Sequence, residues 1–516
     1  MNVQRINHQR CHQRHWSCDQ PKAEPGPRVS RVSGTRCALI LVLACGTAML
    51  GLPGCVPDYK KETAAYRSVL GDNPESPPFD PASPLSLADA LKLARNHNEQ
   101  LAIKGEQYLQ ALIDKDRAVA AFLPTVSFAP NYLLQPETHI GAGALGPGPL
   151  ISQFVPPHAL DLPFTAGMSF NLVSDAANIK RASLTAQQQR DLLADLKATV
   201  LLDVAQTYYQ IIRSQRQVEV LRETVKVQEA RVADIEVKHK AGVARPLDVA
   251  QLKAQRAGIA VTLIRAQNDV RTGRAVLAFL MGVPAAEGPL ADELQIPPAV
   301  PDIQGLLATA RQNRRDLQAA AAQVQAASSN LLAAWGRYFP SVSADVTYFS
   351  QRRTFPQDIL WTSVFGVRVP IFSRGLIYAD VRTAASQLRQ AELARTMLER
   401  RMLKEVRVAR ENLLASARQI EQLQAQVDAA DDAMRQAEEE LKVGLATNLD
   451  RLIAQDQLLA VQLNLISEQL ARKVYYLNLQ RVVGRLDTDL SGPSPASAPA
   501  GTQSAHVGSP ERGGLP

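Results

Sequence analysis

Aromatic residues are scarce in this sequence, at 5% of its 516 residues. A chain with few rings, 46% hydrophobic residues and 21% charged residues suits long helices better than a β-sandwich or a conventional enzyme core. We therefore predict a folded, mainly α-helical protein with a small β part.

Cysteine is absent from most of the chain. No disulfide framework can stabilise the body of the protein, because every cysteine falls within the first 55 residues. The five are Cys11, Cys18, Cys37, Cys45 and Cys55.

Excess positive charge is also concentrated near the start. Of the formal net charge of +7, residues 1–54 contribute +5 and the remainder only +2. A basic balance is typical of nucleic-acid-binding proteins, but here it belongs to the first segment, so we expect no nucleic-acid partner.

The first segment has the features of a secretory signal. A stretch of 20 residues without charge, from Cys37 to Val56, follows Arg28, Arg31 and Arg36. A basic region before an apolar run that ends in small residues is typical of a cleaved signal. Cys11, His12, His15 and Cys18 have the side chains of a zinc site, but they lie in this segment, so we predict no metal centre.

The end of the signal carries one cysteine with an expected role. Leu52-Pro53-Gly54-Cys55 resembles the bacterial lipobox, in which cleavage before the cysteine exposes it for lipidation, although Pro53 departs from the usual residue. The resemblance implies N-acyl and S-diacylglycerol groups on Cys55 and no other cofactor. The alternative is a transmembrane anchor with an incidental Cys55, whose span Pro53 and the glycines would interrupt.

An internal repeat organises the body. Ala121-Phe-Leu-Pro124 matches Tyr338-Phe-Pro340 at an offset of 216, whereas Lys240-Ala-Gly242 matches Lys442-Val-Gly444 at an offset of 202. The change of offset indicates an insertion in the first half, which is the Gly/Pro-rich run 141–157. We take 85–283 and 302–486 as two repeats joined by a linker, 284–301.

Each repeat contains two segments in which apolar and polar residues alternate. We predict strands at about 124–135, 162–173, 340–350 and 361–372, and the regions that contain them hold 15 of the 26 aromatic residues. Alternation over about ten residues with clustered rings is typical of a strand that crosses a bilayer in a β-barrel. A soluble, half-buried hairpin would show the same alternation, but four strands cannot close a barrel without partners.

A very long helix follows each pair of strands. Residues 175–240 and 376–442 contain no proline, and each stretch could reach about 100 Å at about 1.5 Å per residue. Both end at a glycine, Gly242 or Gly444, which suits the left-handed turn that lets a chain reverse. Return helices are predicted at 247–280 and 449–482.

This order of elements, repeated, resembles the TolC family of outer-membrane efflux channels, in its lipoprotein branch often called NodT-type. The resemblance implies a homotrimer in which three chains form a twelve-stranded barrel in the outer membrane, continued by a helical barrel through the periplasm. It further implies a periplasmic adaptor docking at the turns of Gly242 and Gly444, with an inner-membrane pump behind it. The chain would then be the passive exit duct of a tripartite efflux system, in contact with outer-membrane lipid.

The family also implies a gate of acidic residues just after the second glycine turn. Asp450 occupies this place and Asp248 is its repeat mate, whereas Ile453 stands where some relatives carry a second acidic residue. Alternatively, Asp450 only stabilises a helix N-terminus as a first-turn carboxylate.

Signatures of an enzyme are missing. The run Gly141-Ala-Gly143-Ala-Leu-Gly146 spells a dinucleotide fingerprint, but prolines follow where a helix would have to begin. We therefore predict no catalytic residues. A structural coiled-coil lipoprotein that spans the periplasm without conducting is the alternative function, and a soluble adaptor is disfavoured by the four membrane-length strands.

The sequence thus predicts six segments. They are a signal peptide (1–54), a Pro-rich disordered tether (55–84), the two repeats with their linker, and a disordered tail (487–516).

Overall fold

A computed structural model describes residues 58–71, 80–134, 158–354 and 356–486. The described residues belong almost entirely to one unit of the chain, residues 60–516. Its helices are α1 (Tyr59–Leu70), α2 (Leu87–His97), α3 (Glu99–Ala120), α4 (Leu172–Lys240), α5 (Pro246–Met281), α6 (Ile303–Asn313), α7 (Arg315–Gly336), α8 (Leu376–Lys442) and α9 (Asn448–Val483). Its strands are β1 (Thr125–Phe128), β2 (Asn131–Leu134), β3 (His158–Phe170), β4 (Ser341–Gln351) and β5 (Trp361–Arg368).

The helical stretch before each pair of strands is broken once, which the sequence analysis missed. In the first half Asn98 separates α2 from α3. Its side-chain oxygen accepts hydrogen bonds from the backbone N–H groups of Gln100 and Leu101, at 3.0 and 3.2 Å. Asn98 therefore ends one helix and caps the next.

In the second half Arg314, at the repeat offset of 216, separates α6 from α7. Its guanidinium is 4% exposed and donates to both carboxylate oxygens of Asp316, at 3.0 and 2.6 Å, and to Glu405 on α8, at 2.7 Å. Burial alone would raise the pKa of both acids, but the hydrogen bonds and charge of Arg314, joined at Glu405 by those of Arg401, outweigh it and lower both pKa values.

The predicted tether contains a helix, so the prediction of disorder is wrong there. Tyr66 and Leu70 of α1 are buried in a cluster with Leu101, Leu193 and Val200. A Cβ at Gly105 would stand 2.5 Å from the Tyr66 ring, so the ring packs directly on the backbone of α3. Residues four apart share one face of a helix, and this short apolar stripe was hidden among charged residues and the prolines that follow.

The strands form one antiparallel sheet in the order β1-β3-β4-β5, and β2 also pairs with β3. The first predicted strand is interrupted before Pro130, which has no N–H to donate to a sheet. Opposite this break, β3 shifts its register between Leu162 and Pro163. β3 begins earlier than predicted and ends before Leu172, which lies in α4, and β5 ends at Arg368, before Pro370.

The sheet has one apolar and one polar face. Cross-strand pairing aligns the alternating residues of β1, β3, β4 and β5, since Phe164 lies opposite Tyr348 and Thr165 opposite Thr347. The apolar face consists of Val126, Phe128, Phe164, Ala166, Met168, Phe170, Val342, Ala344, Val346, Tyr348, Trp361, Ser363, Phe365 and Val367. The polar face consists of Thr125, Ser127, Thr165, Gly167, Ser169, Ser341, Ser343, Asp345, Thr347, Thr362, Val364, Gly366 and Arg368.

The two long helices pack with their return helices as antiparallel hairpins, α4 with α5 and α8 with α9. The largest buried cluster joins α2, α4, α5 and α9 around Tyr208, whose hydroxyl lies within hydrogen-bond distance of the carbonyls of Leu85 and Ala291, at 2.8 and 2.7 Å, and shares its one proton between them. These bonds hold the start of the first repeat against the segment before α6, so residues of the predicted linker pack against the helices.

Within the part of the chain that the structure describes, no helix is both long enough and apolar enough to span a membrane.

Candidate functional site

Two regions of the chain are candidates for function: the two-faced sheet, and the turns at the far ends of the two long hairpins. The turns lie at the same end, because Leu452 of α9 packs with Val232, Ile235 and Leu252 of the first hairpin. The first hairpin is α4–α5 and the second is α8–α9.

The turns have the same backbone structure. Gly242 and Gly444 have φ angles of 79° and 82°, in the left-handed region that favours glycine, as the sequence predicts. In the first turn, Val243 N–H donates to the Lys238 carbonyl at 2.9 Å. Leu445 N–H makes the equivalent 2.9 Å bond to Glu440. These bonds close a Schellman motif at each long helix, at the repeat offset of 202.

Apolar side chains project from both turns. In a Schellman motif the residue after the glycine commonly packs back on its own helix. Here Val243 is 78% exposed and Leu445 is 81% exposed. Leu247, Val443, Leu449 and Ile453 are also exposed, and we call these six residues the tip residues. Each turn therefore presents apolar side chains that the described chain does not cover.

The two predicted gate residues lie in different environments. Asp248 is 8% exposed at its side chain and accepts two hydrogen bonds from the Arg245 guanidinium, at 3.1 and 2.8 Å. These bonds lower the pKa of Asp248 against the opposing effect of burial. The Asp248 carboxylate is therefore already engaged in an ion pair with Arg245 of the same turn.

Asp450 is exposed and forms a capping box with Thr447. Its Oδ2 accepts from the Thr447 backbone N–H at 2.8 Å and from the Thr447 hydroxyl at 2.6 Å, and both bonds lower the pKa of Asp450. Asp450 thus acts as a first-turn carboxylate that stabilises a helix N-terminus, which is the alternative role given above. The carboxylate remains exposed at the end of α9.

One arginine joins the two hairpins near the turns. Arg231 on α4 donates to Glu438 on α8 and to Gln455 on α9. The side chain of Arg231 is 18% exposed and that of Glu438 is 38% exposed. Burial and the nearby Arg231 charge lower the pKa of Arg451. We call the contact of Arg231 with Glu438 and Gln455 the inter-hairpin clamp.

Buried glutamines accompany the clamp. Gln228 has no exposed surface, and neither its amide nitrogen nor its amide oxygen has a hydrogen-bond partner among the described residues. Gln255 donates to Asp456 at 2.5 Å, and its own oxygen lacks a partner within the same part of the chain. With Gln455, these residues form a polar layer between two apolar clusters of the hairpins.

The turns are predictable from the sequence, whereas the clamp and the polar layer are not among the predicted features. A signal was present: Val218, Leu221, Val225, Gln228 and Val232 follow one another at alternating steps of three and four residues. This spacing defines a helix seam, and Gln228 is its polar member. A glutamine in an otherwise apolar seam marks a position whose packing differs from its neighbours.

Several sequence predictions concern residues outside the described ones. Cys55, the cysteine and histidine cluster, the Gly/Pro-rich run and the C-terminal tail all lie there.

The geometry defines a class of protein. A sheet with an apolar and a polar face, joined to single helices of 69 and 67 residues, is typical of a membrane channel subunit whose helices extend far beyond the bilayer.

Comparison with known proteins identifies the family. The outer membrane efflux protein model matches residues 306–485. The chain is 27% identical to the probable efflux pump outer membrane protein TtgC of Pseudomonas putida, over 86% of this chain and 95% of the relative. It is 22% identical to the probable outer membrane lipoprotein SilC of Salmonella typhimurium, over 55% of this chain and 62% of that protein.

Solved structures agree on the fold. The outer-membrane channel OprN superposes with a TM-score of 0.67 at 18% identity, covering 79% of this chain and 94% of that one. The outer membrane protein VceC of Vibrio cholerae superposes with a TM-score of 0.65 at 19% identity, covering 77% and 96%. Residues 306–485 thus match the outer membrane efflux protein family, and the chain as a whole is similar to outer-membrane efflux channels in sequence and in fold. The predicted family and the predicted fold class are both confirmed.

Proposed function

We propose that three copies of this chain form the outer-membrane exit duct of a tripartite efflux system, and that the duct performs no chemistry of its own. Similarity to outer-membrane efflux channels gives the chain its place in the outer membrane and its role as an efflux channel subunit. The observation that carries the proposal is the sheet, which has an apolar face for lipid, a polar face for water and two open edges.

The open edges argue for assembly. β5 is bonded only to β4, and β1 and β2 only to β3, among the described strands. Unpaired backbone groups are costly in lipid, so a spanning sheet must close on itself. Four membrane-length segments per chain are too few, whereas three copies supply twelve, which is wide enough for a lumen.

Exposed apolar residues on the helices support assembly as well. Leu393 and Met397 are 70% and 69% exposed, and they lie four residues apart on α8. A neighbouring copy would bury them, which is favourable by about 1.5–3 kcal/mol for each side chain.

The tip residues are the proposed docking point for a periplasmic adaptor, with an inner-membrane pump behind it. The turns of Gly242 and Gly444 present exposed apolar side chains at the end farthest from the sheet. An adaptor that covers Val243 and Leu445 would gain their burial without reorganising either turn, because the Schellman hydrogen bonds fix the backbone. Asp450 of each copy is the proposed acidic gate at this end, and the Asp248 carboxylate stays in its ion pair.

We further propose that Cys55 carries the lipid anchor. Cleavage after Gly54 would leave Cys55 as the first residue, and several acyl chains together anchor a protein stably. The mass of the N-terminal peptide tests this: acyl and diacylglycerol groups are expected, and an unmodified or uncleaved N-terminus would refute it.

The purified protein tests the main proposal. We expect trimers that resist SDS until heated and stepwise conductance in planar bilayers. The alternative function, a structural coiled-coil lipoprotein spanning the periplasm, predicts neither. Protein that forms no such trimers and never conducts would favour the alternative, and trimers that never conduct would refute the duct.

A further inference from the structure

The polar face of the sheet is almost free of charge. Hydroxyl side chains and glycines predominate on this face, and small polar residues of this kind suit a surface that faces water. Its charged members among the described strands are Asp345 on β4 and Arg368 at the end of β5. Both are exposed.

The position of Asp345 on this face is defined by its strand neighbours. It pairs with Gly167 on β3 and with Val364 on β5. A Cβ at Gly167 would stand 2.7 Å from Asp345 Oδ1, so the carboxylate lies over the glycine, in space that any other residue would fill. This contact holds the charge against the wall of the sheet.

Among the described residues, no other charged side chain of the sheet pairs with Asp345. Arg368 pairs with Ser341, four residues from Asp345 along β4, which corresponds to about 13 Å. That exceeds the screening length of about 8 Å at physiological salt. The carboxylate of Asp161 accepts hydrogen bonds from the backbone N–H groups of Arg353 and Thr354, at 2.7 and 3.2 Å. It is therefore already paired with the loop between β4 and β5.

We propose that Asp345 makes the membrane barrel attract cations and repel anions at its level. The inference rests on the proposed trimer, in which three Asp345 carboxylates form one ring on the inner wall. From strand spacing and tilt, a twelve-stranded barrel has a backbone radius of about 12 Å. The ring is therefore too wide to bind a bare ion tightly, and it acts as an electrostatic filter for cationic solutes.

Reaction rates of an introduced thiol measure this field without involving the gate. Thr347→Cys places the thiol on the same face, two residues from Asp345 and on the side away from Arg368. The predicted mature chain has no other cysteine except the lipidated Cys55. A cationic and an anionic methanethiosulfonate of similar size are added from outside, with a neutral one to report access.

At a distance of about 7 Å and 0.1 M salt, the ring should raise the cationic-to-anionic rate ratio about threefold over the Asp345→Asn variant. The difference should nearly vanish at 1 M salt. Asp358→Asn, which removes the same charge from the loop between β4 and β5, should leave the ratio unchanged.

Two results would overturn the inference. If the cationic-to-anionic rate ratio is the same in Asp345→Asn while the thiol reacts readily, the proposed duct is retained but Asp345 does not act as a charge filter. If SDS-resistant trimers form but no reagent reaches the thiol, the polar face does not line a water-filled duct. Both the proposed duct and the charge filter are then refuted.

Discussion

The inter-hairpin clamp gives the most demanding prediction about the proposed gate at the tip. Arg231 is the described side chain of the first hairpin that bonds both helices of the second. Opening the tip by moving one hairpin against the other must break these bonds. Arg231→Met removes the charge but keeps an unbranched side chain of similar length, so apolar packing along the stem is preserved.

The magnitude follows from burial. Hydrogen bonds to charged groups contribute about 1.5–3 kcal/mol when buried, whereas exposed ion pairs contribute about 0.2–1 kcal/mol. With Arg231 18% exposed and Glu438 38% exposed, the clamp lies between these limits. We expect Arg231→Met to weaken the closed state by about 1–2 kcal/mol, which raises the open fraction about 5- to 30-fold.

The assay is the leak conductance of isolated trimers in planar bilayers. The matched control is Arg256→Met: Arg256 pairs with Glu229 at 3.8 Å within the first hairpin and does not bridge the two hairpins. Adding Glu438→Leu to Arg231→Met should cost less than the two separate effects combined, because the residues share one contact. A leak equal to that of Arg256→Met would refute the clamp.

Three further predictions concern the gate, one turn and the charge network at the break between α6 and α7. Asp450→Asn keeps an oxygen for the capping box but removes the charge, so leak conductance should rise if the charge forms the gate, and an unchanged leak would exclude Asp450. Gly444→Ala forces a left-handed φ on alanine and should lower the free energy of unfolding by about 1–2 kcal/mol in denaturant titrations, whereas Gly258→Ala in the interior of α5, with open space around it, should be neutral or stabilising. Because Asp316 and Glu405 have lowered pKa values in the fold, their contribution to stability is complete above the ordinary values of 3.8 and 4.5 and is lost as the pH falls through the folded values. The thermal midpoint, followed by helical circular dichroism, should therefore drop between pH 5 and pH 3. A midpoint that stays constant over this range would contradict the prediction.

Long-period patterns made much of the fold predictable from the sequence. The 67-residue helix α8 has the predicted bounds, since nothing in it competes with the helical state. Gly242 and Gly444 adopt the expected left-handed turns because a chain reversal of this kind needs positive φ. Two-residue alternation likewise revealed both faces of the sheet.

Features that depend on a single residue were not predictable. Asn98 caps a helix with its side chain, whereas Arg314 stands at the corresponding break without a side-chain capping bond. A single residue of either type does not by itself locate a break in a long helical pattern. Helix α1 was hidden because its apolar stripe is only two or three residues wide and becomes stable by packing on α3 and α4. The clamp depends on which helices become neighbours, and a single helix pattern does not contain that information.

The central claim is that the assembled sheet encloses a water-filled duct, and single-channel recording of purified trimers tests it most directly. We predict discrete, stable conductance steps, with a higher open fraction in Arg231→Met than in the unaltered protein. Intact SDS-resistant trimers that insert into bilayers and pass no current in either form would contradict the account.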